Sequence, residues 1–133
     1  MNPYKMFETS SEAEQEGLEL NYGSFSIWVA RSGGANQKYN KIMEALTKPH
    51  LFSIKNETIT PEMVKSIRVE AHAKAVVLRW KGVTDREGNE MEFSVENCIK
   101  LFTDLDDLFE DVSEQAGKAG LFRKDIIDLT VGN

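Results

Sequence analysis

Apolar and polar residues alternate from Leu18 to Val29, and the spacing then turns helical for most of the chain. The first arm of the alternation carries Leu18, Leu20 and Tyr22, the second Phe25, Ile27 and Val29. This predicts a β-hairpin over Gly17 to Arg31. A turn at Tyr22-Gly23 pairs Leu20 with Phe25, Glu19 with Ser26, and Leu18 with Ile27, so apolar meets apolar and polar meets polar. A lone hairpin is marginal in water, so its apolar face is expected to pack on helices or on another chain. In this register Trp28 falls on the opposite, Glu19/Ser26 face. Two readings stand: a helix covers it, or it is an exposed aromatic anchor for a partner.

Gly33-Gly34 breaks the strand, and Asn36 is placed to cap a helix reaching about Thr47, with Tyr39, Ile42, Met43 and Leu46 on one stripe. Pro49 ends it, and residues 50–59 read as a connector with a short apolar piece, Leu51-Phe52-Ser53-Ile54. Thr60-Pro61-Glu62 combines an N-cap, a first-turn proline and an acid at the positive end of the helix dipole. The stripe Val64, Ile67, Ala71, Ala75, Leu78, widened by Val76, Val77 and Trp80, predicts a helix to about Lys81, with Gly82 as its C-terminal cap. Thr84 to Asn89 is turn chemistry, and Met91 to Phe93 reads as a short extended piece. Ser94 caps a helix carrying Val95, Cys98, Ile99 and Phe102; Thr103 or Asp104 caps another carrying Leu105, Leu108, Phe109, Val112 and Ala116. Residues 1–16 read as a loosely ordered acidic lead-in, and 121–133 as either a short helix or a tail mobile until bound. The expected fold is one α+β domain spanning residues 1–133, predominantly α-helical, with an N-terminal β-hairpin packed on about four helices.

Composition narrows the function. A net charge of −6 argues against a dedicated nucleic-acid binder, whose affinity rests on phosphate attraction. No apolar stretch is long enough to span a bilayer, and Met1 to Lys5 does not read as a signal peptide. The single cysteine, Cys98, is consistent with a reducing cytosol. The charge is also unevenly placed. Residues 23–81 hold ten Lys/Arg against four Glu, whereas residues 104–114 hold six acids and no base. These regions either sit side by side within a monomer, are simply solvated, or join subunits head to tail.

The candidate chemistry is thin. Cys98 and His72 both sit inside apolar helical stripes, where a thiol behaves as a small hydrophobe and an imidazole is a satisfied core group. Two histidines and one cysteine do not make a zinc set. The Asp85 to Glu96 segment has Glu90 where a calcium loop needs glycine. Gly33-Gly34 lacks the spacing of either phosphate-binding glycine motif. No enzyme activity, catalytic residue, metal or cofactor is expected.

Several segments nevertheless have a family likeness. They are Asn2-Pro3-Tyr4-Lys5-Met6-Phe7-Glu8-Thr9, Val29 to Tyr39, Ala75 to Asn89, Phe93-Ser94-Val95-Glu96-Asn97, and Leu105-Asp106-Asp107-Leu108-Phe109 on to Leu121-Phe122. With them the chain resembles the tail assembly chaperones of long, non-contractile-tailed bacteriophages. The resemblance implies a largely helical, self-associating, non-enzymatic helper in the host cytoplasm, absent from the finished virion. It implies two partners, the tape measure protein and the major tail tube protein. A chain ending Leu129-Thr130-Val131-Gly132-Asn133 is similar to the short form made without a ribosomal frameshift. For a chaperone that holds an apolar helix, the candidate groove residues are Phe25, Ile27, Met43, Leu105 and Phe109, with Trp28 as the candidate anchor. The alternatives are a small tail or neck protein retained in the particle and an acidic inhibitor of a host protein.

Overall fold

The computed structural model describes residues 2–118 and Phe122. Two short helices, α1 (Pro3–Phe7) and α2 (Ser11–Glu16), lead into strands β1 (Leu18–Asn21) and β2 (Ser26–Val29). Then come α3 (Gln37–Thr47), a 3-10 turn at Lys48–His50, α4 (Leu51–Lys55), α5 (Pro61–Ala75), β3 (Val77–Lys81), α6 (Val95–Asp104) and α7 (Asp106–Gly117). The strands form an antiparallel sheet of order β1-β2-β3, packed on α3, α5, α6 and α7. The fold is therefore α+β and predominantly helical, with the expected hairpin extended by β3 to three strands. No helix among the described residues is long and apolar enough to cross a membrane.

The local signals that held are caps. Asn36 Oδ1 accepts from Tyr39 N at 3.1 Å, Thr60 Oγ1 from Met63 N at 3.2 Å and Ser94 Oγ from Asn97 N at 3.0 Å. Asn36 also donates through Nδ2 to Arg31 O at 2.8 Å and Ala75 O at 2.9 Å, so one side chain starts α3 and ties it to the end of α5.

Four expectations are corrected. First, α5 stops at Ala75 and residues 77–81 form β3 instead of a last helical turn. Val76, Val77 and Trp80 favour a pleated surface, and β2 supplies the pairing edge. Second, the hairpin register is offset by two residues. Leu18 pairs with Val29, Glu19 with Trp28 and Leu20 with Ile27, around a longer turn closed by Tyr22 N to Phe25 O at 2.9 Å. An even offset keeps every side chain on its face. Third, Leu51 to Lys55 is a helix, and residues 3–7 and 11–16 are helical. The lead-in is docked through Arg31–Glu14 at 3.6 Å, Arg79 to Glu16 O at 3.2 Å and Ser10 N to Phe122 O at 2.9 Å. Fourth, α7 has no side-chain cap; Leu105 ends α6 and begins α7. Residues 91–93 form no strand, although Thr84 and Glu90 make an isolated bridge. The tail expectation for 121–133 lies outside the described residues, apart from the buried Phe122.

The core joins Ile27 and Val29 of β2 to Val69 and Ala73 of α5, Cys98 and Phe102 of α6, and Phe109, Val112 and Ala116 of α7. On its surface the basic middle meets the acidic helix within one molecule. Lys65 pairs with Asp106 at 2.8 Å, and Arg68 reaches Glu110 at 2.9 Å and Ser113 at 3.0 Å.

Gly82 follows β3 and does not cap a helix. Its φ is +80°, and a Cβ there would lie 2.7 Å from Ser24 O in the β1–β2 turn. The chain leaving β3 is thus tucked beneath that turn. Gly82→Ala is expected to cost about 1–3 kcal/mol and lower the melting temperature. An unchanged melting temperature would show that the tuck contributes nothing.

Candidate functional site

Three separate segments meet beyond the end of the sheet. The β1–β2 turn brings Ser24 and Phe25, the chain after β3 brings Gly82, Val83 and Thr84, and the α6–α7 corner brings Leu101, Leu105 and Leu108. They enclose an apolar groove of about 410 Å3. A second cavity of about 210 Å3 continues from it, sharing Thr84, Leu101 and Leu105 and extending to Asp85, Arg86, Met91, Lys100 and Asp104.

Each wall is fixed locally. Asn21 Oδ1 accepts from Gly23 N at 2.8 Å and shapes the turn. The Tyr22 ring stacks on Phe25, with centroids 5.0 Å apart, and its hydroxyl donates to Asp111 of α7 at 2.6 Å. Burial and that carboxylate raise the Tyr22 phenol above its ordinary pKa. Across the groove, Asp85 Oδ1 accepts from Glu87 N at 3.0 Å and Asn89 N at 2.9 Å, closing the 85–89 turn, and Met91 N donates to Val83 O at 2.9 Å. Trp80 Nε1 donates to Met91 O at 2.8 Å and anchors that loop to β3. Leu105 turns the corner with φ −119° and ψ 81°, a non-helical conformation between two helices, and stays 46% exposed.

Of the candidate partner-binding residues, Phe25 and Leu105 come together on opposite walls of this groove. Ile27 and Phe109 are fully buried and belong to the core. Met43 is half-buried on α3 and does not line the groove. Trp28 is half-buried on the outer face of the sheet, paired across to Glu19 and Arg79 and covered by the Arg79 guanidinium 4.9 Å above its ring. It is therefore neither under a helix nor bare. Leu101 and Leu108 were missed as groove residues. Their signal is the spacing Leu101, Leu105, Leu108, a helical stripe that continues across the corner.

Cys98 and His72 are both enclosed. Cys98 is fully buried, and burial pushes its thiol up to about 12. It is expected to resist thiol reagents in the native protein and to react fully in denaturant. Fast native labelling would show that α6 opens. His72 is 2% exposed, its Nδ1–H directed at Arg68 O at 2.7 Å, with the Tyr39 and Phe109 rings edge-on to it.

A family model described as "YdaY prophage protein" matches residues 34–133. The chain belongs to the YdaY prophage protein family. It is therefore of phage origin, and the match runs from the start of α3 past α7, taking in the Leu101, Leu105 and Leu108 wall of the groove. The β1–β2 hairpin with Phe25 lies before the matched stretch. No curated protein and no solved structure matches the chain.

Proposed function

We propose that this YdaY-family chain is a non-enzymatic tail assembly chaperone. Its groove holds an apolar face of the tape measure protein, and the complex helps recruit major tail tube subunits in the host cytoplasm. The observation that carries this reading is the open apolar groove between Phe25 and the Leu101, Leu105, Leu108 stripe, on a protein of phage origin. A channel walled by leucines and one aromatic, with no charged residue lining it, suits one face of an amphipathic helix. Polar groups of such a helix would meet Asp85, Arg86, Lys100 and Asp104 in the adjoining cavity. The chain acts before the particle is complete and is absent from it.

The test is co-expression with the tape measure protein of the same phage. The tape measure is expected in the soluble fraction only when the chain is present. Leu105→Asp is expected to abolish this rescue without unfolding the protein, because Leu105 is 46% exposed. A tape measure equally insoluble with and without the chain would overturn the reading. So would the chain appearing in purified virions, which would instead make it a structural tail component.

A further inference from the structure

A second groove, of about 370 Å3, opens at the other end of the sheet, where β2 ends and β3 begins. Its apolar lining includes Ala75, Val77, Leu78, Phe93 and Val95. Its charged lining has both signs, Glu14 of α2 against Lys38 of α3 and Lys74 of α5. Charge therefore favours neither an acidic nor a basic guest, and the apolar lining decides what fits.

The chain itself supplies a fitting segment. Phe122 is fully buried, and its carbonyl oxygen accepts from Ser10 N at 2.9 Å. Ser10 is the N-cap of α2, and Glu14, on the groove wall, stands one helical turn further along, about 6 Å away. Residues 123–133 follow Phe122 in the sequence. An extended chain advances about 3.3 Å per residue, so Ile127 has a reach of about 17 Å from Phe122, well beyond that turn. Ile127, Leu129 and Val131 alternate with Asp128 and Thr130, the pattern of an extended segment with one apolar side. Arg123 and Lys124 come directly after Phe122. They bring cations within reach of Glu14, whose Oε1 is buried and accepts no hydrogen bond among the described residues, with the Arg31 guanidinium 3.6 Å away. The family match also runs through residues 123–133 and, Glu14 and Ala30 apart, through the groove lining.

We propose that residues 127–131 of this chain lie extended in this groove, with Ile127, Leu129 and Val131 against Leu78, Phe93 and Val95. A tethered segment meets its site at an effective concentration of about millimolar, so a weak apolar contact is enough to keep the site filled. The segment straps α2 to the end of α5 and the start of α6. It closes the end of the sheet away from Phe25 and Leu105, and it does so whether or not their groove receives a tape measure helix.

Nuclear magnetic resonance on the full chain tests it. A nitroxide is attached at Thr130→Cys; Cys98 is fully buried and stays unlabelled. The nitroxide is expected to broaden the amide signals of residues 13–16, 76–78 and 93–96 more than those around Leu105. Val95→Asp is expected to remove most of that local broadening. It leaves melting unchanged, because Val95 is exposed and lies in the first turn of α6, where an acid is favourable. Ile127→Asp combined with Leu129→Asp is expected to remove the broadening from the other side of the contact. A mixture of isotope-labelled chain without nitroxide and unlabelled chain carrying it is expected to show none, because the contact is made within one molecule. Uniform broadening, broadening centred elsewhere, a pattern that either variant leaves unmoved, or equal broadening in the mixture would each overturn the proposal; the last would assign the groove to a second copy. Tape measure solubility is read separately, so failure here leaves that result independent.

Discussion

Phe109→Ala is expected to destabilise the protein by about 3–5 kcal/mol, the range for removing a buried phenylalanine. Phe109 is fully buried where α5, α6 and α7 meet. Its ring lies 5.4 Å from Phe102 and 5.2 Å from His72, and the Arg68 guanidinium stands 4.9 Å above it. Truncation leaves a cavity and also removes the aromatic surface on which Arg68 rests while it holds Glu110. A domain of this size has about 5–15 kcal/mol in total, so the loss is a large share of it. Denaturant unfolding measures it directly. A loss below about 1 kcal/mol would show that the three helices close over the gap. The variant also separates two roles. Phe109→Ala is expected to lose partner binding only with its fold, whereas Leu105→Asp loses binding with its fold intact.

Acidification is expected to destabilise the protein through His72. Burial disfavours the imidazolium and lowers its pKa, an effect reinforced by the Arg68 charge and opposed by the bond to Arg68 O and by Glu110. Among the described residues Nε2 has no hydrogen-bond partner, so a proton added there gains no acceptor. The unfolded chain takes up its proton near pH 6.5, the folded chain only at lower pH. The unfolded state therefore binds more protons in that interval. The contribution of neutral His72 is fully present above about pH 6.5 and is lost by up to about 1.4 kcal/mol per pH unit as pH falls below it. His72→Phe should keep the aromatic cluster and flatten the slope between about pH 6.5 and 5, a window above the ordinary carboxylate range. A slope equal in wild type and variant would assign the sensitivity to other groups.

The sequence made the helix starts legible because a cap is decided within four residues: Asn36, Thr60 and Ser94 each needed only their own side chain and a nearby amide. The hairpin was legible as alternation but not in register, since the same alternation fits two turns that differ by two residues. Residues 77–81 were misread because Val64, Ile67, Ala71, Ala75 and Leu78 keep helical spacing to the end. What turns them into β3 is the pairing edge of β2, far away in sequence. Surface and core were the least legible distinction. Phe25 and Leu105 look like Ile27 and Phe109 in a hydropathy pattern, and only packing reveals that the first pair stays open while the second is sealed. The opposed charge blocks were legible as blocks. That they are clasped through Lys65–Asp106 and Arg68–Glu110 depended on α5 and α7 running side by side.

The groove draws one wall from helices inside the family-matched stretch and the other from a two-stranded piece that precedes it. That piece is seated on the helices through Ile27 and Val29, is tied to α7 by the Tyr22–Asp111 bond, and presents the Phe25 ring at the opening. Such a division of labour lets selectivity evolve cheaply. Exchanging the residue at position 25, or the tip that carries it, would retune which guest is admitted while the scaffold beneath keeps its architecture.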